Sequence, residues 1–163
     1  MPKAIVNSTP IILLAGINRL DLLFKLYEKI VIPEAVYEEV TAKYDSASRV
    51  VSDHPNWLTV EKAPELPQQY RRLISAKLHA GEIEVMSLAL SSDADVAVLD
   101  DNAARKTAKF FGLPVTGTLG LLMRAKDRGF VPEVRPLVDD LRASGFRIND
   151  EVVAAVLAIV HEL

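Results

Sequence analysis

The 163-residue sequence contains no cysteine, which removes disulfide scaffolds, thiolate zinc sites and cysteine nucleophiles together. It also lacks any apolar run of membrane-spanning length. Met1-Pro2-Lys3 passes straight into a short apolar strand, without the h-region of a signal peptide. The expectation is a cytoplasmic protein with no membrane partner. Positive charge is in short supply: 19 Lys and Arg against 22 Asp and Glu leave a formal net charge of -3, so any nucleic-acid binding must rest on local basic patches. His54, His79 and His161 are scattered and lack the i, i+4 spacing of a metalloprotease pair. Thr116-Gly117-Thr118-Leu119-Gly120 lacks the lysine and spacing of a phosphate-binding P-loop.

What remains is an ordinary globular composition, half hydrophobic and a quarter charged, long enough to bury one core without covalent staples. One domain over residues 1–163 is expected, with 132–163 as a C-terminal helical extension. Short apolar strands alternate with helical patterns. Lys3–Val6 is a strand that ends in Asn7-Ser8-Thr9-Pro10, a run of capping and turn residues before a helix from Ile11 to Gly16. A helix over 19–28, a buried strand Ile30–Ile32 ended by Pro33, and a helix from Glu34 to Lys43 follow. Residues 44–69 are irregular apart from a strand near Trp57–Val60. Further on come a helix from Gly81, a strand Asp95–Leu99, a helix Asn102–Phe111, a strand Leu113–Val115 and a helix Gly117–Arg128. Two last helices follow Pro132, the second capped by Asn149. The pattern predicts an α/β fold, a parallel β-sheet flanked by helices on both faces, whose functional groups gather outside the carboxyl ends of the strands.

That rule singles out Asn7 after the first strand and Asp100-Asp101 after the fourth. Carboxylates at such a strand end stand where a metal or phosphate would sit, although Asp101 alone would serve equally as cap of the Asn102 helix. Glu38 and Glu39 lie on the Pro33-initiated helix, and Glu82 and Glu84 open the Gly81 helix, where acids also complement the helix dipole. Thr116 is read as a helix cap that would support this acidic edge from behind. Ser8 and Thr9 are read as caps first and site residues second. Arg105, Lys106 and Lys109 follow Asp101 on one helix, Arg105 and Lys109 sharing a face, near where a phosphate backbone would pass. None of the basic groups carries the aromatic interleaving of a stacking platform.

The order of these features resembles the PIN-domain-like nuclease superfamily, and within it a branch related to the VapC toxins of toxin–antitoxin pairs. The resembling stretches are Ile5-Val6-Asn7-Ser8-Thr9-Pro10-Ile11-Ile12, Val31-Ile32-Pro33-Glu34-Ala35-Val36-Tyr37-Glu38-Glu39-Val40, Leu78-His79-Ala80-Gly81-Glu82-Ile83-Glu84, Leu99-Asp100-Asp101 and Gly112 to Gly120. The resemblance implies an endoribonuclease that binds Mg2+ or Mn2+ through a small set of acids. By position these fall on Asn7, Glu39, Glu82 and Asp101, with Asp100 an adjacent candidate. It implies RNA as substrate, a homodimer, and a small antitoxin partner if the chain is a toxin. The family's usual first acid is here Asn7, whose amide oxygen can ligate a metal but brings no charge, so metal affinity should fall. A second reading keeps the same fold as a non-catalytic nucleic-acid- or protein-binding module whose acids are structural caps. A phosphoryl-accepting receiver domain fits less well, because its acid pair would follow the first strand, where Asn7 stands.

Overall fold

A computed structural model describes residues 2–163. In chain order the elements are β1 (Lys3–Val6), α1 (Ser8–Gly16), α2 (Asp21–Leu26), β2 (Lys29–Pro33), α3 (Glu34–Thr41), α4 (Ser46–Ser52), β3 (Leu58–Glu61), α5 (Gln68–Arg71), α6 (Ala80–Ser91), β4 (Val96–Val98), α7 (Asn102–Phe110), β5 (Val115–Thr116), α8 (Thr118–Asp127), α9 (Arg135–Ala143) and α10 (Asp150–Ile159). Every strand pairing is parallel, in the order β3-β2-β1-β4-β5. The strand residues Ala4, Ile5, Val6, Ile30, Val31, Ile32, Ala97 and Val98 are all buried, as expected of a parallel sheet covered on both faces. Helices flank it, and this is the α/β architecture that the alternating pattern predicts. None of the helices among the described residues is long and apolar enough to cross a membrane.

The position of the site follows from the strand order. From β1 the chain steps outward to β2 and β3, then returns to β4 on the other side of β1 and on to β5. The crevice beyond the carboxyl ends of β1 and β4 is therefore the topological switch point, where α/β sheets bind ligands. Register fixes it: Val6 pairs Val98, and the Asn7 N–H donates to the Val98 carbonyl at 3.1 Å. The loop after β4 is held on its other side by the Leu99 N–H, which donates to the Thr116 carbonyl at 2.8 Å.

Several local expectations shift. The first helix begins at Ser8, ahead of Pro10, because proline costs nothing in a first turn whose N–H groups have no helical acceptor. Ser8 and Thr9 thus lie inside α1 and are not its caps. The stretch taken as irregular contains α4, capped by Asp45, whose Oδ1 accepts from the Ser48 N–H at 2.9 Å. Only Ala47, Ser48 and Val51 are buried there, too few to produce a visible period in the sequence. The N-cap position of α8 is Gly117, not Thr116. Asn149 does cap α10, accepting from the Val152 N–H at 2.8 Å.

The C-terminal helices share the main core through Leu137, Val138, Leu141, Val156, Leu157 and Val160. The start of α9 has no side-chain cap of its own. Glu162 supplies one from a distance, its carboxylate accepting from the Val134 N–H (2.7 Å), the Arg135 N–H (2.8 Å) and Lys126 Nζ (2.9 Å). Burial pushes the Glu162 carboxyl up, but these donors outweigh it and hold it down at about 2. Its contribution to stability is therefore complete above the ordinary carboxylate value of 4.5 and is lost as pH falls through about 2. Glu162→Ala should cost about 1–3 kcal/mol at neutral pH. In chemical denaturation the gap between wild type and variant should narrow as pH is lowered through that window.

Candidate functional site

Asn7 sits at the mouth of the switch-point crevice, 5% exposed. It occupies the N-cap position of α1 with extended backbone, yet its side chain makes no capping bond. Its Oδ1 is buried without a hydrogen-bond partner, an arrangement that costs free energy unless something else meets that oxygen. Across the crevice, α6 begins with Ala80 and Gly81, and Gly81 is packed closely. A Cβ there would stand 3.2 Å from Asn7 Oδ1, 3.3 Å from Glu39 Oε2 and 3.4 Å from Val36 Cγ2. Glycine thus lets α6 start close against α3 and the end of β1. Two oxygens from separate elements, Asn7 Oδ1 and Glu39 Oε2, flank one point as a result.

Glu82, one residue on, is only 6% exposed, and its Oε2 is also buried without a partner. Burial is the main reason its carboxyl is pushed above the ordinary value, and the negative charge of Asp101 adds to it. The His79 imidazole and backbone oppose the rise, while Glu39 adds a smaller upward push. Glu82 therefore feels the charge of Asp101 and, more weakly, that of Glu39, both distant from it in sequence. Asp101 is exposed and caps α7, Oδ2 accepting from the Ala104 N–H at 2.9 Å. The capping role read from the sequence is real, and it occupies one of the two carboxylate oxygens.

Asp100 faces elsewhere. Its Oδ1 accepts from the Thr118 N–H at 2.8 Å and its Oδ2 from the Thr118 hydroxyl at 2.6 Å, tying the end of β4 to the first turn of α8. Burial pushes the Asp100 carboxyl up against the opposing pull of Thr118 and Arg105. Arg105 lies beside this clasp, its Nη1 3.5 Å from where a Gly117 Cβ would be and its Nε buried without an acceptor. Thr116 packs its hydroxyl against Gly120, with no room for a Cβ between them, and makes only a long 3.5 Å bond to the Gly117 carbonyl. Ser8 is buried in the first turn of α1. Lys106 and Lys109 are exposed on α7. Glu84 turns from the crevice to α3, its Oε1 accepting from the Ala35 N–H at 3.2 Å. Sequence reading missed Thr118 as the clasp of Asp100, and the fit of Gly81, for which the Gly-Glu pair opening a helix was the one available signal.

A shallow groove lined by Ala35, Glu38, Glu39, His79, Ala80 and Gly81 opens beside these acids. A family model for DUF3368, a PIN domain, matches residues 3–162. The chain belongs to this PIN-domain family. No curated protein matches it. Membership brings a nuclease-type function and nucleic-acid binding, and PIN domains generally use divalent metals. The residues of this PIN domain suit such an ion in donor chemistry: two buried oxygens lack partners, and the surrounding donors are hard carboxylate and amide oxygens. Among the described residues no three carboxylate or imidazole groups stand close enough to enclose an ion together.

Glu82 gives a direct test of this electrostatic picture. A raised carboxyl pKa means that the folded state favours the protonated form, so that stability falls as pH rises from the ordinary value of 4.5 through the raised one. Glu82→Gln removes the buried charge and should raise the melting temperature of metal-free protein at pH 7 by about 2–4 °C. In EDTA the gain should shrink toward pH 4, as wild-type Glu82 takes up its proton.

Proposed function

We propose that the chain is a Mg2+- or Mn2+-dependent endoribonuclease, its ion held directly by one or two of Asn7, Glu39, Glu82 and Asp101 and by the others through the ion's waters. The observation that carries this reading is the pair of buried, unpartnered oxygens, Asn7 Oδ1 and Glu82 Oε2, at the switch point and within the influence of Glu39 and Asp101. A bound ion supplies an acidified water and offsets charge on the phosphate under attack. Glu82 would hold the ion through Oε2; the attacking water would pass its proton to solvent as the new P–O bond forms, and the oxygen displaced as the old P–O bond breaks would take one up from solvent. Asp100 is then an anchor that holds the β4–α7 turn through Thr118, and Ser8 and Thr116 act as packing around the site rather than as ligands. Arg105, Lys106 and Lys109 supply the local positive charge that a chain of net charge -3 needs to attract RNA.

The same reading covers residues 1–163 as one PIN-like unit with 132–163 as its helical extension, acting in the cytoplasm. It extends to a toxin silenced by a small antitoxin and to a homodimer. Val152, Ile159 and Leu163, exposed apolar side chains in and just after α10, support association with another chain. The second reading, a binding module without catalysis, draws on the uncharged Asn7 and on the capping bond of Asp101.

Cleavage of a mixed RNA pool by wild type and Asp101→Asn, in Mg2+, Mn2+ or EDTA, separates the two. The nuclease reading expects metal-dependent cleavage reduced at least about a hundredfold in the variant, the scale on which lost electrostatic stabilisation acts. Asparagine can still cap α7, so the fold should survive the change. Equal cleavage by both proteins would refute the role of Asp101, and RNA binding without cleavage would favour the binding module.

A further inference from the structure

Two stretches of the chain are free of acid. Residues 66–81 hold Arg71, Arg72 and Lys77, and residues 102–126 hold Arg105, Lys106, Lys109, Arg124 and Lys126, with no Asp or Glu in either. Each has one end at the acidic crevice: the first stops immediately before Glu82, and the second starts immediately after Asp101. The fold packs them together through Tyr70 and Phe111, whose rings meet edge-on at 4.8 Å. Next to that contact lies a groove lined by Leu73, Lys106, Thr107 and Phe110. Phe110 is 74% exposed and Leu73 51%, an apolar shelf left open to solvent.

We propose that this shelf is a stacking site for an unpaired base of a single RNA strand whose backbone runs along α7 from the acidic crevice. The proposal rests on the nuclease reading for the identity of the strand. Asn102, Lys106 and Phe110 fall at i, i+4 and i+8 on one exposed face of α7, so the shelf lies about 12 Å along the axis from the helix start at Asn102, next to Asp101. Charge complementarity selects the occupant. Arg71 is paired with Glu65 at 2.9 Å, but Arg72, Lys77, Lys106 and Lys109 form no ion pair among the described residues. A second copy bringing the same face would set these cations against their like. A nucleic-acid strand brings phosphates for the cations and a base for the ring, the pairing used by single-strand binders. The sequence reading gave no basic group interleaved aromatics, although Phe110 directly follows Lys109; that Leu73 joins Phe110 is visible only in the fold, through the groove they share.

The test is fluorescence anisotropy in EDTA with a labelled 12-residue oligouridylate and an abasic strand of equal length. Phe110→Ala should weaken binding of the oligouridylate about five- to a hundredfold and leave the abasic strand unchanged. Lys106→Ala should weaken both and flatten the salt dependence by about one unit of slope. Phe110→Trp should keep the affinity, and its indole emission should be quenched on binding. Equal affinity of wild type for both strands, unchanged binding by Phe110→Ala, or no RNA binding at all would overturn the proposal. So would a dimer that Phe110→Ala dissociates in sedimentation while RNA affinity stays the same. Cleavage that is indifferent to Phe110 would leave the nuclease reading standing without the shelf. Base-dependent binding with no cleavage in metal would leave the shelf standing without the nuclease.

Discussion

The burial of Glu82 beside the charges of Asp101 and Glu39 is the constraint on which the candidate site of this PIN domain depends. Burying a carboxylate close to others opposes folding unless it takes up a proton or meets a cation. Here three elements converge to impose that burial: the parallel register that sets Asn7 beside Val98, the close start of α6 at Gly81, and the turn from β4 into α7. Together they make a pocket of negative potential with unpartnered oxygens, at the one place in the sheet where neighbouring strands connect in opposite directions. The stability forgone there is the kind of cost that functional sites carry and cores do not.

Asp100 and Asp101 show how adjacent, chemically identical residues are divided by backbone alone. At a strand end successive side chains point to opposite sides. Asp100 is taken up by the Thr118 N–H and hydroxyl and fastens β4 to α8. Asp101 faces the start of α7 and the field of Glu82. The clasp is structural but serves the site, since it fixes the turn that carries Asp101. Glu162 does comparable work at the other end of the molecule, where a carboxylate from the chain terminus completes a helix start that has no cap of its own.

Much of this was legible in the sequence, for identifiable reasons. The apolar runs Ala4–Val6 and Ile30–Ile32 are buried on both faces, so composition alone marks them as strands of a parallel sheet. The strand-end rule then reaches Asn7, Asp100 and Asp101 without knowledge of any contact. What sequence spacing does not carry is the direction of a side chain. It gave no means of separating Asp100 from Asp101, of seeing that Asn7 leaves its cap bond unmade, or of joining Leu73 to Phe110. It also misplaced the start of α1 and the cap of α8, and passed over α4, where few buried side chains leave a faint period. Glu162 was invisible because its partners lie 27 residues or more away in the chain.

The central claim is that the acidic crevice holds a divalent cation despite the amide at Asn7. Electron paramagnetic resonance of Mn2+ titrated into the protein measures this without reference to RNA or catalysis. The account predicts one Mn2+ bound per wild-type chain, and loss of that bound ion in Glu82→Gln. Failure of wild type to bind Mn2+ at millimolar concentration, or equal binding by Glu82→Gln, would contradict it.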